Sequence, residues 1–461
     1  MSKDKRHKRV IRQRVLAFIF TILILGVITF GAVIGITYLK DTGVIDELSN
    51  RLPKPEPKTE AVPEPMEEAS EDDSWIAVEK EIIEDDYADV DTSVLSEDEV
   101  PTEEPEPDTD EEIESVIGNL DMEEKVAQLF IVTPESITGM TQVTRAGDTT
   151  KDALTLYPVG GLIYFAQNFE DPDQTKEMLA NTKQYITDAC GIEPFLATDE
   201  EGGRVVRLAE HEGFEIENVG PMADIGKEGA EKGSDDAYNA GAAIGTYMSE
   251  LGFNLDFAPV ADVLTDSSNE VIGDRSFGSD PELVAKLSWQ YASGLQDNGV
   301  TACFKHFPGH GSVKDDTHEM SVAQNKTLDE LYESELTPFQ NAVTNEARMI
   351  MAAHISCPNI SSDNMPSSLS HRMLTEILRE EMGYQGIIIT DSFLMEAVTK
   401  VYPDAGEAAV AAINAGADIV LMPADFQEAY NAVLSAASSG ELTEERIDES
   451  LRRILKVKLG R

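Results

Sequence analysis

Two stretches of the chain combine titratable side chains in patterns that suit acid/base and nucleophilic chemistry. The segment KHFPGHG, from Lys305 to Gly311, continues as SVKDDTH to His318, so that Asp316 stands two residues before a histidine. A neighbouring carboxylate can orient an imidazole and favour its protonated form, which an acid that protonates a leaving oxygen requires. Asp316 and His318 are therefore predicted to form a catalytic acid/base pair.

Asp391 is the candidate nucleophile. In GIIITDSFLM it follows a run of apolar and β-branched residues, which predicts a carboxylate at the end of a buried strand. Such a side chain is rigidly aimed, as a nucleophile that attacks an anomeric carbon must be. Retaining glycosidases place an acid/base group on the far side of the leaving oxygen, and in this chain that group would be His318.

A metal site is the alternative interpretation of the same histidine-rich loop. By type, His306, His310, His318 and Asp316 are suitable metal ligands. Their spacing matches no recognised metal motif, and Lys305 would place a cation beside the ion. We therefore expect neither a metal nor a cofactor.

Short apolar runs alternate with amphipathic stretches after Ile113, a pattern that is typical of parallel βα units. The apolar runs are 128–132, 161–165, 194–198, 255–259, 301–304, 349–353, 386–390 and 418–422, and the candidate helices include 171–189, 328–345, 407–415 and 426–439. Eight such units predict an α/β fold, a (β/α)8 TIM-type barrel. A doubly wound open sheet remains the alternative, because periodicity alone does not show closure. No Gly-x-Gly-x-x-Gly motif follows the first strand, which disfavours a dinucleotide-binding fold.

Charged or titratable residues follow five of these runs, at the point where each strand would end. They are Asp199, Asp262, Lys305 with His306, His354 and Asp391. The carboxyl ends of the strands of a barrel meet at one rim, and barrel enzymes carry their chemistry there. These five positions therefore predict a catalytic rim.

Five motifs in order resemble those of glycoside hydrolase family 3, in its β-N-acetylglucosaminidase branch. They are TDEEGGRVVRL (198–208), FNLDFAPVADV (253–263), IGDRSFGSD (272–280), KHFPGHG with the following Asp-x-His, and ITDSFLM. The resemblance extends from about Leu120 to the C-terminus. It implies a barrel in which Asp391 forms a covalent glycosyl-enzyme, while His318, assisted by Asp316, first protonates the leaving group and then activates water.

The same resemblance implies a set of sugar-binding residues in the minus-one subsite, namely Asp199, Arg207, Arg275, Lys305 and His306. It implies a retaining exo-β-N-acetylhexosaminidase that releases terminal β-linked N-acetylglucosamine, with cell-wall peptidoglycan fragments as the expected source. Ser392-Phe393 stands where Asp-Leu often follows the nucleophile in this branch. The side chains of the pocket wall are therefore expected to differ from those of the branch at these two positions. The β-glucosidase relatives carry their acid on a second domain, and the chain ends at Arg461, soon after the eighth unit. This favours the single-domain branch.

Two other functions fit the same residues less well. A phosphorylase is possible in principle, because an imidazole repels an anionic acceptor less than a carboxylate would. Another β-glycosidase specificity is the closely related alternative. A non-catalytic wall-binding barrel would be expected only if Asp391, Asp316 or His318 were missing, and all three are present.

The N-terminal part of the chain has a different composition. Residues 1–14 are strongly basic, and residues 15–39 form an uncharged apolar run of about 25 residues, long enough to cross a hydrocarbon core of about 30 Å. The run lacks an Ala-x-Ala cleavage pattern, so it predicts an uncleaved transmembrane signal anchor. The basic flank predicts a single-pass protein of the cell membrane, with a cytoplasmic N-terminus and an extracytoplasmic catalytic domain.

Residues 40–112 are acidic and rich in proline. About 28 acidic residues against about 4 basic ones between Asp41 and Glu112 predict a disordered linker that cannot bury enough apolar surface to fold. Residues 113–461 are the predicted barrel domain. The formal net charge of −51 argues against nucleic acid as a partner, and leaves a carbohydrate substrate and the membrane as expected partners. The cysteines, Cys190, Cys303 and Cys357, have no CxxC spacing and are expected to be free thiols.

Overall fold

Every predicted apolar run coincides with or overlaps a strand in the computed structural model, which describes residues 109–313 and 322–460. The barrel strands are β1 (Phe130–Val132), β2 (Gly161–Ile163), β3 (Phe195–Thr198), β4 (Leu255–Asp256), β5 (Thr301–Phe307), β7 (Met349–Ala352), β9 (Ile387–Thr390) and β10 (Val420–Leu421). A separate parallel pair consists of β6 (Val322–Ala323) and β8 (Ile355–Ser356). Every residue of the barrel strands is buried, which explains why the strands read as continuous apolar runs and not as alternating ones.

The eight strands are all parallel and follow the order β10-β1-β2-β3-β4-β5-β7-β9. A parallel bridge between Ile389 and Ile419 joins β9 to the residue that precedes β10. The Thr390 N–H also donates to the Ile419 carbonyl at 3.0 Å. These contacts bring the two ends of the sheet together, so the barrel prediction is confirmed over the open sheet.

Helices surround the strands, and neighbouring helices such as α7, α8 and α10 pack on one another. They are α1 (Thr109–Asn119), α2 (Met122–Ala127), α3 (Pro134–Thr138), α4 (Asp148–Leu156), α5 (Pro172–Cys190), α6 (Met222–Lys227), α7 (Gly229–Leu251), α8 (Pro281–Asp297), α9 (Leu328–Tyr332), α10 (Thr337–Thr344), α11 (Glu396–Thr399), α12 (Ala405–Ala415), α13 (Phe426–Ser439) and α14 (Glu444–Lys458), with a π-helix at Arg372–Glu381 and short 3₁₀ turns at Ala166–Asn168, Gly273–Arg275 and Ser367–Leu369.

Local sequence signals set the ends of the longer helices. Asp171 precedes α5 and accepts a hydrogen bond from the Gln174 N–H, and Asp425 does the same for Glu428 at the start of α13. Such aspartates satisfy a backbone donor that has no partner within the helix. Gly440 ends α13 with φ 80°, a conformation that favours glycine. These caps explain why the predicted helices at 171–189 and 426–439 are found within about one residue.

The single helix predicted over residues 328–345 is wrong, because α9 and α10 are separate. Pro338 lies in the first turn of α10, where its missing N–H is harmless, whereas inside a continuous helix it would remove a hydrogen bond and clash with the preceding turn. Glu335, in the break, is fully buried. Its side chain accepts hydrogen bonds from Thr265 and Lys326, so the break serves to bring a carboxylate inward.

The predicted anchor at 15–39 lies outside the described residues, as does nearly all of the predicted linker at 40–112. Within 109–313 and 322–460 no helix is long and apolar enough to cross a membrane. The first described element, α1, adds Ile113 and Ile117 to the main apolar core. The three cysteines are free, as predicted, with Cys303 and Cys357 buried and Cys190 half-buried.

Candidate active site

A cavity of about 460 Å³ opens at the carboxyl ends of the barrel strands. Six of the eight residues predicted for the site line it, namely Asp199, Arg207, Arg275, Lys305, His306 and Asp391. The remaining two, Asp316 and His318, lie outside the described residues. The structure therefore brings the predicted nucleophile and all the predicted sugar-binding residues to one cavity, and it leaves the acid/base pair as a prediction.

The charged floor of this cavity consists of Asp199, Glu201, Arg275 and Lys305. Lys305 joins the two carboxylates of this floor. It lies in β5, and its side chain is only 3% exposed. Its ammonium group contacts Asp199 Oδ1 at 3.0 Å and Glu201 Oε1 at 2.6 Å. Because β5 is buried along its whole length, the ammonium is held at a fixed position at the end of the strand.

Glu201 ties the same floor to a second cation. Arg275 donates from Nε to Oε2 at 2.7 Å and from Nη2 to Oε1 at 2.8 Å, so the guanidinium and carboxylate form a two-pronged pair. Burial alone would raise the pKa of Glu201, but Lys305 and Arg275 more than offset it and hold the pKa well below its usual range. Glu201 is therefore ionised at neutral pH and holds both cations in place.

Arg207 approaches the cavity from the loop after β3. Its guanidinium lies 3.7 Å from Asp199 Oδ2 and stands over the Phe165 ring at 5.9 Å from the ring centre. Asp199 is thus held between Lys305 on one side and Arg207 on the other. A carboxylate held in this way can accept hydrogen bonds from vicinal sugar hydroxyls while the flanking cations donate to them.

His306 is oriented by Asp262, another of the predicted rim residues. Its Nδ1 lies 2.7 Å from Asp262 Oδ2, and Asp262 Oδ1 also accepts the His310 N–H at 2.6 Å. Burial would raise the pKa of Asp262, but the neighbouring His306 lowers it below its usual value. The ionised Asp262 therefore keeps a proton on Nδ1 and fixes the direction of the opposite ring nitrogen.

Asp391 follows β9 directly, as the sequence predicts. Its N–H donates to the Ala352 carbonyl at 2.9 Å, which fastens its backbone to the neighbouring strand. Its Oδ1 accepts the Ser392 N–H at 2.7 Å. Both backbone and side chain are thus held, which suits a group that must meet one carbon atom of a substrate.

His354 contacts the two residues that follow Asp391. The sequence predicts it on the catalytic rim, but it is buried and does not line the described cavity. Its Nε2 lies 2.9 Å from the Ser392 carbonyl and its Nδ1 2.7 Å from Ser368 Oγ, and the Phe393 ring packs edge-on against it at 5.6 Å. The rim assignment of His354 is therefore corrected: its contacts fix the Ser392-Phe393 turn that follows the nucleophile.

Glu201 and its neighbour Glu200 were not predicted from the sequence as site residues. Glu200 is fully buried and accepts the N–H groups of Arg207, Leu208 and Ala209 at 2.6 to 2.9 Å, so it folds the segment that carries Arg207 back onto the rim. The run of three acidic residues before Gly202 was the available signal. Nothing in the run alone distinguishes which carboxylate turns inward.

A metal site finds no support in the part of the chain that is described. Among these residues no group of three or more histidine, cysteine, aspartate or glutamate side chains is placed to hold an ion. Asp316 and His318, two of the four ligands considered, are outside that part. The cavity carboxylates Asp199 and Glu201 are instead engaged in the ion pairs given above.

Known proteins that resemble this chain were found by sequence and by structure. The family model described as "Glycosyl hydrolase family 3 N terminal domain" matches residues 121–457. The chain is 31% identical over 328 residues to "Beta-hexosaminidase A" of Pseudoalteromonas piscicida, which covers 67% of this chain and about half, 54%, of that protein. It is 36% identical over 286 residues to "Beta-hexosaminidase" of Neisseria gonorrhoeae, with 60% of this chain and 75% of that protein covered.

Among solved structures, the chain resembles a glycoside hydrolase family 3 beta-N-acetylglucosaminidase from Paenibacillus sp. str. FPU-7. The TM-score is 0.68 and the identity 35%, with 74% of this chain and 63% of that chain covered. Residues 121–457, which the family model matches, contain every cavity residue described above. On these grounds the chain belongs to glycosyl hydrolase family 3.

Proposed function

We propose that this protein is a retaining exo-β-N-acetylhexosaminidase that hydrolyses terminal β-linked N-acetylglucosamine. One observation carries the proposal: the side chain of Asp391 enters the same cavity as the Asp199–Lys305–Glu201–Arg275 network. A firmly held carboxylate beside a set of paired donors and acceptors is what a glycosidase needs at its sugar-binding subsite. The names of the relatives in the preceding comparison support the choice of an amino sugar.

In the proposed mechanism Asp391 attacks the anomeric carbon and forms a covalent glycosyl-enzyme, which water then hydrolyses. The contacts of Asp391 with the Ala352 carbonyl and the Ser392 N–H support this role, because they fix the direction of attack. His318, oriented by Asp316, protonates the leaving oxygen in the first step and activates water in the second. This last assignment rests on the sequence alone.

The charge of each proposed sugar-binding residue determines its role. Asp199 accepts hydrogen bonds from hydroxyls, and Arg207, Lys305 and His306 donate to hydroxyls or to the acetamido carbonyl. Arg275 is so fully engaged with Glu201 that its contribution is to hold the floor and one edge of the subsite. The apolar part of the wall, which includes Phe165 and Met395, offers a surface for the carbon face of the ring.

We further propose that the barrel works outside the cytoplasmic membrane on peptidoglycan fragments, held there by the anchor at 15–39. The basic flank and the apolar run support this location. The acidic residues of 40–112 support an extended tether between anchor and barrel.

The test is hydrolysis of chromogenic β-glycosides of N-acetylglucosamine, N-acetylgalactosamine and glucose, each with and without phosphate. We expect N-acetylglucosamine to be released fastest, with no dependence on phosphate. A preference for glucose would indicate another β-glycosidase, and sugar phosphate as the product would indicate a phosphorylase. Absence of turnover on all three, in protein that is folded by circular dichroism, would leave the non-catalytic wall-binding barrel.

A further inference from the structure

Met422 has a backbone conformation that residues with a side chain rarely adopt. Its φ is 48°, and the other non-glycine residues with positive φ in the described ranges are Glu210, Glu346 and Asn364. Of these four, Met422 is the one that lines the cavity. A left-handed conformation brings Cβ too close to the following carbonyl oxygen, and it persists only where the surrounding structure enforces it. Because such residues cluster at functional sites, the conformation of Met422 points to a role in the cavity.

The left-handed conformation decides which way the Met422 side chain points. β10 ends at Leu421, and both Leu421 and Met422 line the cavity. In a regular strand successive side chains point to opposite faces, so the residue after Leu421 would face the surrounding helices. Because φ sets the direction of Cβ relative to the preceding chain, the positive φ turns Met422 inward beside Leu421. An unfavourable conformation thus adds a second apolar side chain to the cavity wall.

Hydrogen bonds hold Met422 beside the turn of the proposed nucleophile. The Met422 N–H donates to the Ile131 carbonyl in β1 at 2.9 Å. On the neighbouring strand, the N–H of Phe393 donates to the carbonyl of Leu421 at 3.0 Å, which fastens the turn after Asp391 to the end of β10. Met422 and Asp391 therefore line adjacent parts of the cavity wall.

The charged floor lies across the cavity from Met422. Lys305 lies in β5, and Asp199 and Glu201 follow β3, so the floor spans the part of the rim that is centred on β4. Counted around the closed ring of eight strands, β10 is four strands from β4 in either direction. The cavity therefore has charged donors and acceptors on one side and the half-buried thioether of Met422 on the opposite side.

We propose that Met422 is a sugar-binding residue, which packs its thioether against C–H groups of the pyranose ring while the charged floor holds the hydroxyls. This inference rests on the proposed function, because it takes the ring at Asp391 to be the N-acetylglucosamine unit. A pyranose has hydroxyls that need hydrogen-bond partners and C–H groups that are apolar. The flexible, polarizable thioether of methionine suits contact with such C–H groups. The left-handed conformation then weakens the fold but supplies a contact to the substrate.

The experiment compares three variants of Met422 on an aryl and an alkyl glycoside of N-acetylglucosamine. Met422→Gly and Met422→Ala remove the thioether, and we expect kcat/KM to fall about 10-fold or more in both variants. The losses on the two glycosides should agree, because the contact is to the sugar and not to the aglycone. Met422→Leu keeps an apolar side chain of similar volume, and we expect its kcat/KM to stay within about threefold of the wild type. The dissociation constant of the product N-acetylglucosamine, measured by calorimetry, should rise in Met422→Gly and Met422→Ala alone.

Urea unfolding tests the argument about the backbone, with Glu346 as the matched control. Alanine is the better residue at most positions, but glycine adopts a positive φ without steric cost. We therefore expect a higher urea midpoint for Met422→Gly than for Met422→Ala. Glu346 has φ 60° and is exposed, so Glu346→Gly and Glu346→Ala should show the same order. Both Glu346 variants should keep the wild-type kcat/KM, because Glu346 is not among the residues that line the cavity.

Three results would overturn the proposal. They are a kcat/KM within about twofold of the wild type in Met422→Gly and Met422→Ala, a loss in Met422→Leu as large as in Met422→Ala, and unequal losses on the two glycosides. The proposed function fails separately, if the wild type hydrolyses a β-glucoside in preference to the N-acetylglucosaminide. The same variants, measured on the β-glucoside, then decide whether Met422 contacts the sugar. A wild type that neither hydrolyses these glycosides nor binds N-acetylglucosamine would overturn both.

Discussion

Replacement of Glu201 by glutamine is the sharpest test of the charged floor. The amide has the same shape as the carboxylate, but it removes the charge that faces Lys305 and Arg275. Its oxygen can still accept from the Lys305 ammonium. Its NH₂ group would then face the Arg275 guanidinium, where two donors meet without an acceptor.

The expected cost follows from burial. The side chains of Glu201 and Lys305 are each 3% exposed, and breaking a buried pair by neutralising one partner costs about 3 to 5 kcal/mol. Because one hydrogen bond to Lys305 survives, we expect a loss near the lower end, about 3 kcal/mol in the free energy of unfolding. Glu193→Gln is the matched control. Its ion pair with Lys183 is also short, 2.8 Å, but the two side chains are about half exposed, and such pairs contribute less than about 1 kcal/mol.

The difference between wild type and Glu201→Gln should depend on pH. The cations beside Glu201 lower its pKa in the folded state, so the folded protein holds the anion more firmly than the unfolded chain does. The contribution of Glu201 is fully present above the unfolded pKa of about 4.3, and it is lost progressively as the pH falls from that value through the lowered folded pKa. The two proteins should therefore differ most near neutral pH and converge in acid.

Urea unfolding followed by circular dichroism measures these free energies for the wild type and both variants at pH 7 and at several values below pH 4. Hydrolysis of the chromogenic N-acetylglucosaminide, run in parallel, should also fall in Glu201→Gln, since Lys305 and Arg275 lose their common anchor. If Glu201→Gln is as mild as Glu193→Gln at pH 7, the buried network does not stabilise the fold by the expected amount.

Three further predictions concern the catalytic groups and the location. Asp391→Ala should lower turnover by several orders of magnitude with an unchanged fold, and a slow 5-fluoro substrate should label Asp391 in the wild type; a label on another carboxylate would contradict this. Asp316→Ala and His318→Ala should each cost roughly 100-fold or more, least with activated aryl glycosides, and the double variant should be hardly worse than His318→Ala; losses that multiply would show that the two do not act as a unit. Protease added to intact protoplasts should remove the barrel and leave a short membrane stub, whereas protection until lysis would reverse the predicted orientation.

The barrel could be predicted because its signals are local and repeated. Each buried strand reads as an apolar run, and aspartates such as Asp171 and Asp425 mark helix starts within a few residues of the helix itself. The failure at residues 328–345 has a different cause. Glu335 turns inward to meet Thr265, a residue 70 positions earlier in the chain. An amphipathic pattern cannot reveal a partner at that distance in sequence.

The types of residue that follow the strands could be predicted from the sequence. The contacts that these side chains make could be predicted less well. Asp391 follows a buried strand and Lys305 lies two residues before the end of one, so their direction into the rim follows from the fold. His354 lies two residues beyond the end of β7, yet its ring is turned toward Ser368 and the Ser392 carbonyl. Glu201 lies three residues beyond the end of β3. Its inward direction depends on Arg275, whose position follows from the fold of a distant loop.

The charges that line the cavity bear on the kind of substrate it accepts. The cations are Arg207, Arg275 and Lys305, and the carboxylates are Asp199, Glu201 and Asp391. Within the described residues each of these cations already faces Asp199 or Glu201. Asp391 adds a further carboxylate at the position of the proposed nucleophile. A phosphate acceptor would therefore find no surplus positive charge there, whereas a neutral sugar that develops positive charge at its anomeric carbon would be stabilised. Among the described residues, this balance of charge supports the proposed hydrolysis over phosphorolysis.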